Sequence, residues 1–163
     1  MNRLIYFVIC LFLVSNPLRS QSIIEKQSLA HLKRVAVAVS IDNLPVLQDL
    51  GINQGKIQTL AEHRLLALGI NDSDTRNDKQ GLLNLDIRLL KNGSEAIYCY
   101  WITVKLNQLV LLKKDVQQNS TLATTWENQD MGILSEGKLP NLIDEIMSEV
   151  DKFSSDWASV NQK

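Results

Sequence analysis

Two cysteines, two histidines and a few clustered acids are the groups in this chain whose types could do chemistry. His31 and His63 stand far apart, and neither has a second histidine or a cysteine at ligand spacing, so a zinc site of the usual kinds is not encoded. His63 falls on the polar side of a helical pattern and reads as a surface residue. Cys99 could act as a nucleophile if a histidine approached it, but the apolar run around it disfavours a thiolate, and a buried structural cysteine is expected. Asp72, Asp74 and Asp78 suggest a calcium loop. Counted from Asp72, however, the sixth and twelfth residues are Asn77 and Leu83, where an EF-hand needs glycine and glutamate, so a solvated loop is expected. Glu127 and Glu136 bracket a glycine-containing loop and would make an acid-base pair if the fold brought them together. No G-x-S-x-G elbow, P-loop or G-x-G-x-x-G occurs, and no cofactor is implied.

Aromatic side chains are the stronger lead. Trp101, Trp126 and Trp157, with Tyr98 and Tyr100, exceed what one face of a small core needs, and a surplus of aromatics can form an exposed binding surface. Tyr98, Tyr100, Trp101 and Trp126 are therefore the candidate partner surface, against the plainer alternative that they fill a sheet-helix interface.

What must position these groups begins with residue 23. Residues 1–22, MNRLIYFVICLFLVSNPLRSQS, have a basic Arg3, an apolar run from Leu4 to Val14 and a polar end with Ser20 and Ser22, the order of a secretory signal peptide. A run of about eleven residues is shorter than the roughly twenty that cross a bilayer as a helix. An uncleaved anchor is the alternative. Cys10 lies inside the apolar run behind Phe7, Val8 and Ile9, so lipidation is not expected. Without Arg3 and Arg19, residues 23–163 carry 15 basic against 18 acidic residues, about −3 in all. So mild a charge offers no field for nucleic acid or anionic lipid. Cys99 alone remains, which excludes an intrachain disulfide.

Residues 23–163 read as one domain. IIEKQSLAHL is a mixed entry segment, and KRVAVAVSI, 33 to 41, reads as a strand buried on both faces. DNLPVLQDLGINQG should be an irregular connection. KIQTLAEHRLLALG sets Ile57, Leu60, Ala61, Leu65 and Leu68 at helical spacing, with Gly69 placed for a left-handed end. LLNLDIRLL, 82 to 90, alternates apolar and polar as a half-buried strand, and Asn92-Gly93 favours a type I′ hairpin. The return run EAIYCYWITVKLNQLVLLKK splits by parity, with Ile97, Cys99, Trp101 and Thr103 on one side and Tyr98, Tyr100, Ile102, Val104 and Leu106 on the other. It is expected to be one long strand bent at a bulge near Asn107-Gln108, with two shorter strands as the alternative. TLATTWENQ, 121 to 129, should be the final strand, DMGILSEGK a loop, and LPNLIDEIMSEVDKFSSDWASVNQK a docking helix with Leu142, Ile143, Ile146, Met147, Val150, Phe153 and Trp157 on one face.

This order, β-α-β-β-(β)-β-α, makes an α+β two-layer sandwich, a mostly antiparallel sheet of four to five strands with two helices on one face. Sequons occur at Asn71, Asn92 and Asn119. The succession RVAVAVSI, AEHRLLALGI, LLNLDIRLL, a meander and a C-terminal amphipathic helix resembles the TolB N-terminal domain and the related penicillin-binding-protein activator lipoproteins, small exported envelope domains of Gram-negative bacteria. The resemblance covers most of residues 23–163 as an order of elements, and it departs from the activators in lacking a lipidation cysteine. It implies a protein-binding or assembly role in the periplasm without catalysis, and it carries over no functional residue. With the leader and the aromatic surplus, the expectation is a periplasmic or secreted module that binds an envelope protein or a small ligand through its sheet face or a strand edge. A carboxylate hydrolase and a structural subunit of an oligomer are the alternatives. N-terminal sequencing of the exported protein is expected to begin at Ile23, or at Gln21 if the cut follows Ser20; a chain still starting at Met1 would mark the apolar run as an anchor.

Overall fold

The computed structural model describes residues 23–42, 45–70, 81–92, 96–112 and 119–162. The leader, the acidic loop with Asp72, Asp74 and Asp78, and residues 93–95 of the first hairpin lie outside them.

Four strands make one sheet in the order β1-β2-β3-β4: Val35–Ile41, Gly81–Lys91, Ile97–Leu111 and Ser120–Ser135. β1 pairs parallel to β2, and the other two pairs are antiparallel. Among the described residues the sheet is therefore mixed, with four strands, the lower of the four to five expected. A parallel pair needs a crossover between its strands. Here the crossover carries two helices, α2 (Pro45–Asp49) and α3 (Gln54–Ala67). A short α1 (Ile23–Gln27) precedes the sheet, and a 3-10 turn (Glu136–Asn141) leads into α4 (Leu142–Asn161). Among the described residues four helices thus stand where two were expected, and none is long and apolar enough to cross a membrane.

The segment expected to be irregular around Pro45 is ordered by its punctuation. α2 ends with Gly51 at a φ of 64°, where the Ile52 amide donates to the Leu47 carbonyl and the Gly51 amide to the Gln48 carbonyl. That double bond is the Schellman ending, and its two apolar positions, Leu47 and Ile52, are both buried. Asn53 then caps α3 by accepting from the Lys56 amide at 2.9 Å. Gly69 closes α3 in the same way at a φ of 78°, with the Ile70 amide on the Leu65 carbonyl. Of the expected helical stripe, Ile57, Ala61 and Leu65 are buried.

β3 is the single long strand expected where Asn107-Gln108 lacks the glycine of a tight turn, and the irregularity falls between Leu106 and Asn107. On β4, Leu106 faces Trp126 and Asn107 faces Thr124, which leaves Thr125 as the extra residue of a bulge. Its carbonyl accepts from the Ser28 hydroxyl at 3.0 Å and its hydroxyl donates to Gln108 Oε1 at 2.6 Å, so the bulge leaves neither group idle. β4 runs on through DMGILS, expected to be a loop, because Gly132 lies under the Tyr100 ring: a Cβ there would sit 2.5 Å from Tyr100 Oη. An aromatic ring laid across a strand glycine restores the packing that the missing side chain forfeits.

The helices layer on one face. α3 packs against β1, and α4 against β3, β4 and α3. The core joins Val35, Val37 and Val39 with the odd residues of β2 from Leu83 to Leu89, the even residues of β3 from Tyr98 to Leu106, and the apolar stripe of α4. Trp126 meets Phe153 edge-on, centroids 5.1 Å apart. β1 is an edge strand whose Ala36 and Ala38 are half-buried and whose Ser40 is exposed, so it is buried on one face and not on two. Gly69→Ala is expected to lower stability by about 1–2 kcal/mol, the cost of an L-residue in the left-handed region, because open space surrounds that position and strain alone acts; the urea midpoint measures it.

Candidate functional site

Among the described residues the helices cover one face of the sheet only, and cross-strand register arranges the side chains of the other in rows over β2, β3 and β4. At one end stand Leu90-Cys99-Ile133 and Arg88-Trp101-Met131. Next come Asp86-Thr103-Gln129 and Asn84-Lys105-Glu127, and past the bulge Leu109 faces Leu122. Leu90, Met131 and Ile133 are 72, 67 and 69 % exposed, and Trp101 is 47 % exposed. Large apolar side chains this open, side by side, form a patch of the kind that marks an interaction site.

The patch is concave. Cys99, Leu90, Trp101, Met131 and Ile133, with Asp42 and Arg88, line a cavity of about 660 Å³. Beside it the polar rows are internally paired: Arg88 Nη2 lies 3.1 Å from Asp86 Oδ2 and Lys105 Nζ 3.5 Å from Glu127 Oε1. A second cavity of about 680 Å³ lies at the far end, among His31, Leu82, Asn107, Leu109 and Leu122.

Of the four residues expected to form a partner surface, the structure puts Trp101 on the open face and Tyr98, Tyr100 and Trp126 in the core. Parity separates them: Tyr98, Tyr100 and Trp126 share the face that the helices cover. Cys99, expected to be buried, is exposed, since it shares the parity of Trp101. Leu90, Met131 and Ile133 complete the surface. They could have been found as apolar residues on the polar parity of their strands.

The acid pair does not form. From Glu127 to Ser135 the chain is extended strand, about 27 Å at ~3.4 Å per residue, and Glu136 begins the turn beyond it. His63 is exposed on α3, and His31, exposed at a φ of 65°, gives its amide to Asn161 Oδ1 at 2.7 Å. Among the described residues no group of three or more His, Cys, Asp or Glu could hold a metal ion.

On the helix side, β4 contributes polar residues that α4 must satisfy. Glu149 is 1 % exposed and accepts from Asn128 Nδ2 and Lys152 Nζ. Two donors compensate the cost of burying a carboxylate. Tyr100 donates to Asp130 Oδ2 at 3.1 Å. Burial, then the negative charge of Asp130, pushes the Tyr100 phenol up to about 12 from an ordinary 10.0.

The sign of that shift sets an alkaline limit. Below pH 10 the phenol is neutral in both folded and unfolded chains; between 10 and about 12 the unfolded chain ionises first, so stability falls as pH rises through that window. In an ultraviolet titration Tyr100→Phe is expected to remove the phenolate transition near pH 12 and to leave a shallower alkaline loss of stability. A retained transition would assign it to another tyrosine.

No protein-family model matches the chain, and no curated protein matches it. Among solved structures it is similar to a dodecamer of a PelC point variant from Paraburkholderia phytofirmans, at 15 % identity over 81 % of this chain and 88 % of that one, with a TM-score of 0.48. It is also similar to a minor lipoprotein from Acinetobacter baumannii, at 14 % identity over 78 % and 84 %, with a TM-score of 0.27.

Proposed function

We propose that this protein is an exported, non-enzymatic binding or assembly module of the cell envelope, acting through the open face of its sheet. The observation that carries the reading is the cluster of Leu90, Trp101, Met131 and Ile133 around Cys99, exposed on a surface that no element of the described chain covers. A signal-peptide pattern at residues 1–22 supports the exported destination. The order of elements that resembles TolB N-terminal and activator domains is in keeping with it.

The composition of that face supports binding over catalysis. Arg88 pairs with Asp86 and Lys105 with Glu127, and these side chains remain 27 to 72 % exposed, in contrast to the dry, preorganised setting that a general acid or base requires. An apolar floor with an aromatic knob suits association, where burial of area supplies the free energy.

Crosslinking in envelope extracts checks the reading. The wild-type protein is expected to recover a crosslinked adduct that Trp101→Ala loses, with an unchanged urea midpoint, because Trp101 contributes little to the core. Equal recovery by Trp101→Ala would place binding elsewhere and remove the open face from the account.

A further inference from the structure

We propose that the partner is held by strand addition: an extended segment of another protein pairs with the outer edge of β4 along Gln129, Met131 and Ile133, with apolar side chains beside Met131 and Ile133 and a basic one opposite Asp130. The inference rests on the reading of the open face as a binding surface, and it names how that surface takes its partner.

Hydrogen bonding comes first. The Glu136 amide donates to the Ala96 carbonyl at 2.8 Å, so the pair that follows Ile97 and Ser135 in the β3-β4 register is a hydrogen-bonded one. Bonded and non-bonded pairs alternate along an antiparallel ladder, and Leu134, Gly132, Asp130 and Asn128 therefore turn their main-chain groups inward to β3. The Asn92 amide on the Ile97 carbonyl agrees, since it gives the odd residues of β3 to β2 and leaves the even ones for β4. Gln129, Met131 and Ile133 then turn their N–H and C=O groups outward. β4 is the last strand of the sheet, and among the described residues those outward groups have no hydrogen-bond partner. A donor and an acceptor at every second residue, roughly 7 Å apart, form a template that an extended polypeptide satisfies and a lipid or a nucleic acid does not.

The other edges are guarded. The first half of β4 carries the Thr125 bulge, whose carbonyl takes the Ser28 hydroxyl, and α1 packs against that strand. β1, on the opposite side, has only seven residues and follows Lys33 and Arg34. Bulges, cover, short length and flanking bases are the devices that keep an edge from pairing. From Asn128 to Leu134, β4 has no bulge, lysine, arginine or proline.

Side chains define the segment. Residues directly opposite each other share a face, so those bonded to Met131 and Ile133 lie beside side chains 67 and 69 % exposed. Apolar residues there extend the patch of Leu90 and Trp101 over the edge. The residue opposite Asp130 falls on the helix side. There Asp130 and Glu145 both act on the Tyr100 phenol through their charge, and neither has an ion pair among the described residues, whereas nearby Glu149 is held by Lys152. Of the remaining charges, Glu127 pairs with Lys105, Lys138 lies in the turn past Ser135, and Asp42, Asp86 and Arg88 stand across the sheet at β1 and β2. A lysine or arginine opposite Asp130 meets its carboxylate in a non-bonded pair, where side chains approach most closely.

Fluorescence anisotropy of a short labelled peptide of alternating valine and lysine, titrated with the protein expressed from its full sequence, tests the proposal. Saturable binding is expected. Methylating the valine amides, which face β4, should weaken it by roughly tenfold or more, and methylating the lysine amides, which face away, by less than about twofold. Glutamate in place of lysine should weaken it several-fold at low salt. In the protein, Met131→Pro removes an outward N–H without touching the β3 ladder and should abolish binding, whereas Met131→Ala keeps the N–H and should retain it. The methylated peptides decide the matter even where the proline variant fails to fold, because they leave the protein unaltered. No binding, or equal binding of the two methylated peptides, overturns the proposal. A dimer in sedimentation equilibrium that Met131→Pro dissolves would assign the edge to a second copy and also overturns it. If strand addition fails, loss of envelope crosslinks in Trp101→Ala would still keep the open face as the binding site, whereas unaltered crosslinks would remove both readings.

Discussion

Seating α4 on the sheet is the contact on which the rest of the structure depends. Phe153 meets Trp126 edge to face, and the helix stripe from Leu142 to Trp157 closes the core over β3 and β4. The same helix then holds the start of the described chain: Trp157 Nε1 donates to the Leu32 carbonyl, Asn161 Nδ2 to the Leu29 carbonyl, and Asp156 pairs with Lys26. Asp156 also accepts from Trp126 Nε1, so one carboxylate ties entry segment, sheet and helix together. A twenty-residue helix is about 30 Å long, enough to reach all of these.

Placing that helix over β4 creates a problem which the sequence solves locally. The core-side positions of β4 include Asn128 and Asp130, polar groups beneath a helix. Glu149 takes one and Tyr100 the other, so the polar atoms are matched with partners at the margin of an otherwise apolar layer. Gly132 makes room for the Tyr100 ring, and the ring in turn lets a glycine persist within a strand. These residues are mutually dependent, and they explain why β4 continues to Ser135.

The cost of one-sided layering is borne by the other face. Helices cover a sheet from one side in this order of elements, and alternation then turns every second side chain of β2, β3 and β4 away from them. Two of the rows so exposed, Asp86-Thr103-Gln129 and Asn84-Lys105-Glu127, are polar, as an uncovered antiparallel face should be. The end with Leu90, Trp101, Met131 and Ile133 is not, and stability of the single chain supplies no reason for it.

Much of this was legible residue by residue, because periodicity is a property of one segment. The two parities of β3, the alternation of β2, the α4 stripe and the left-handed ending at Gly69 follow from spacing alone. Spacing could not say which parity of β3 the helices would take. Both Tyr98-Tyr100-Ile102 and Cys99-Trp101 are apolar, and the choice is made by register with Leu85 and Ile87 across the strand pair. That choice buried Tyr98 and Tyr100, exposed Cys99 and Trp101, and so reversed the expectation for three of those four residues. The parallel pairing of β1, the extension of β4 past Gly132 and the separation of Glu127 from Glu136 likewise depend on contacts between segments distant in the chain. Sequence by itself determined which residues could share a face; tertiary packing decided which face would be left open, because a sheet with two apolar sides and one layer of helices can bury only one of them.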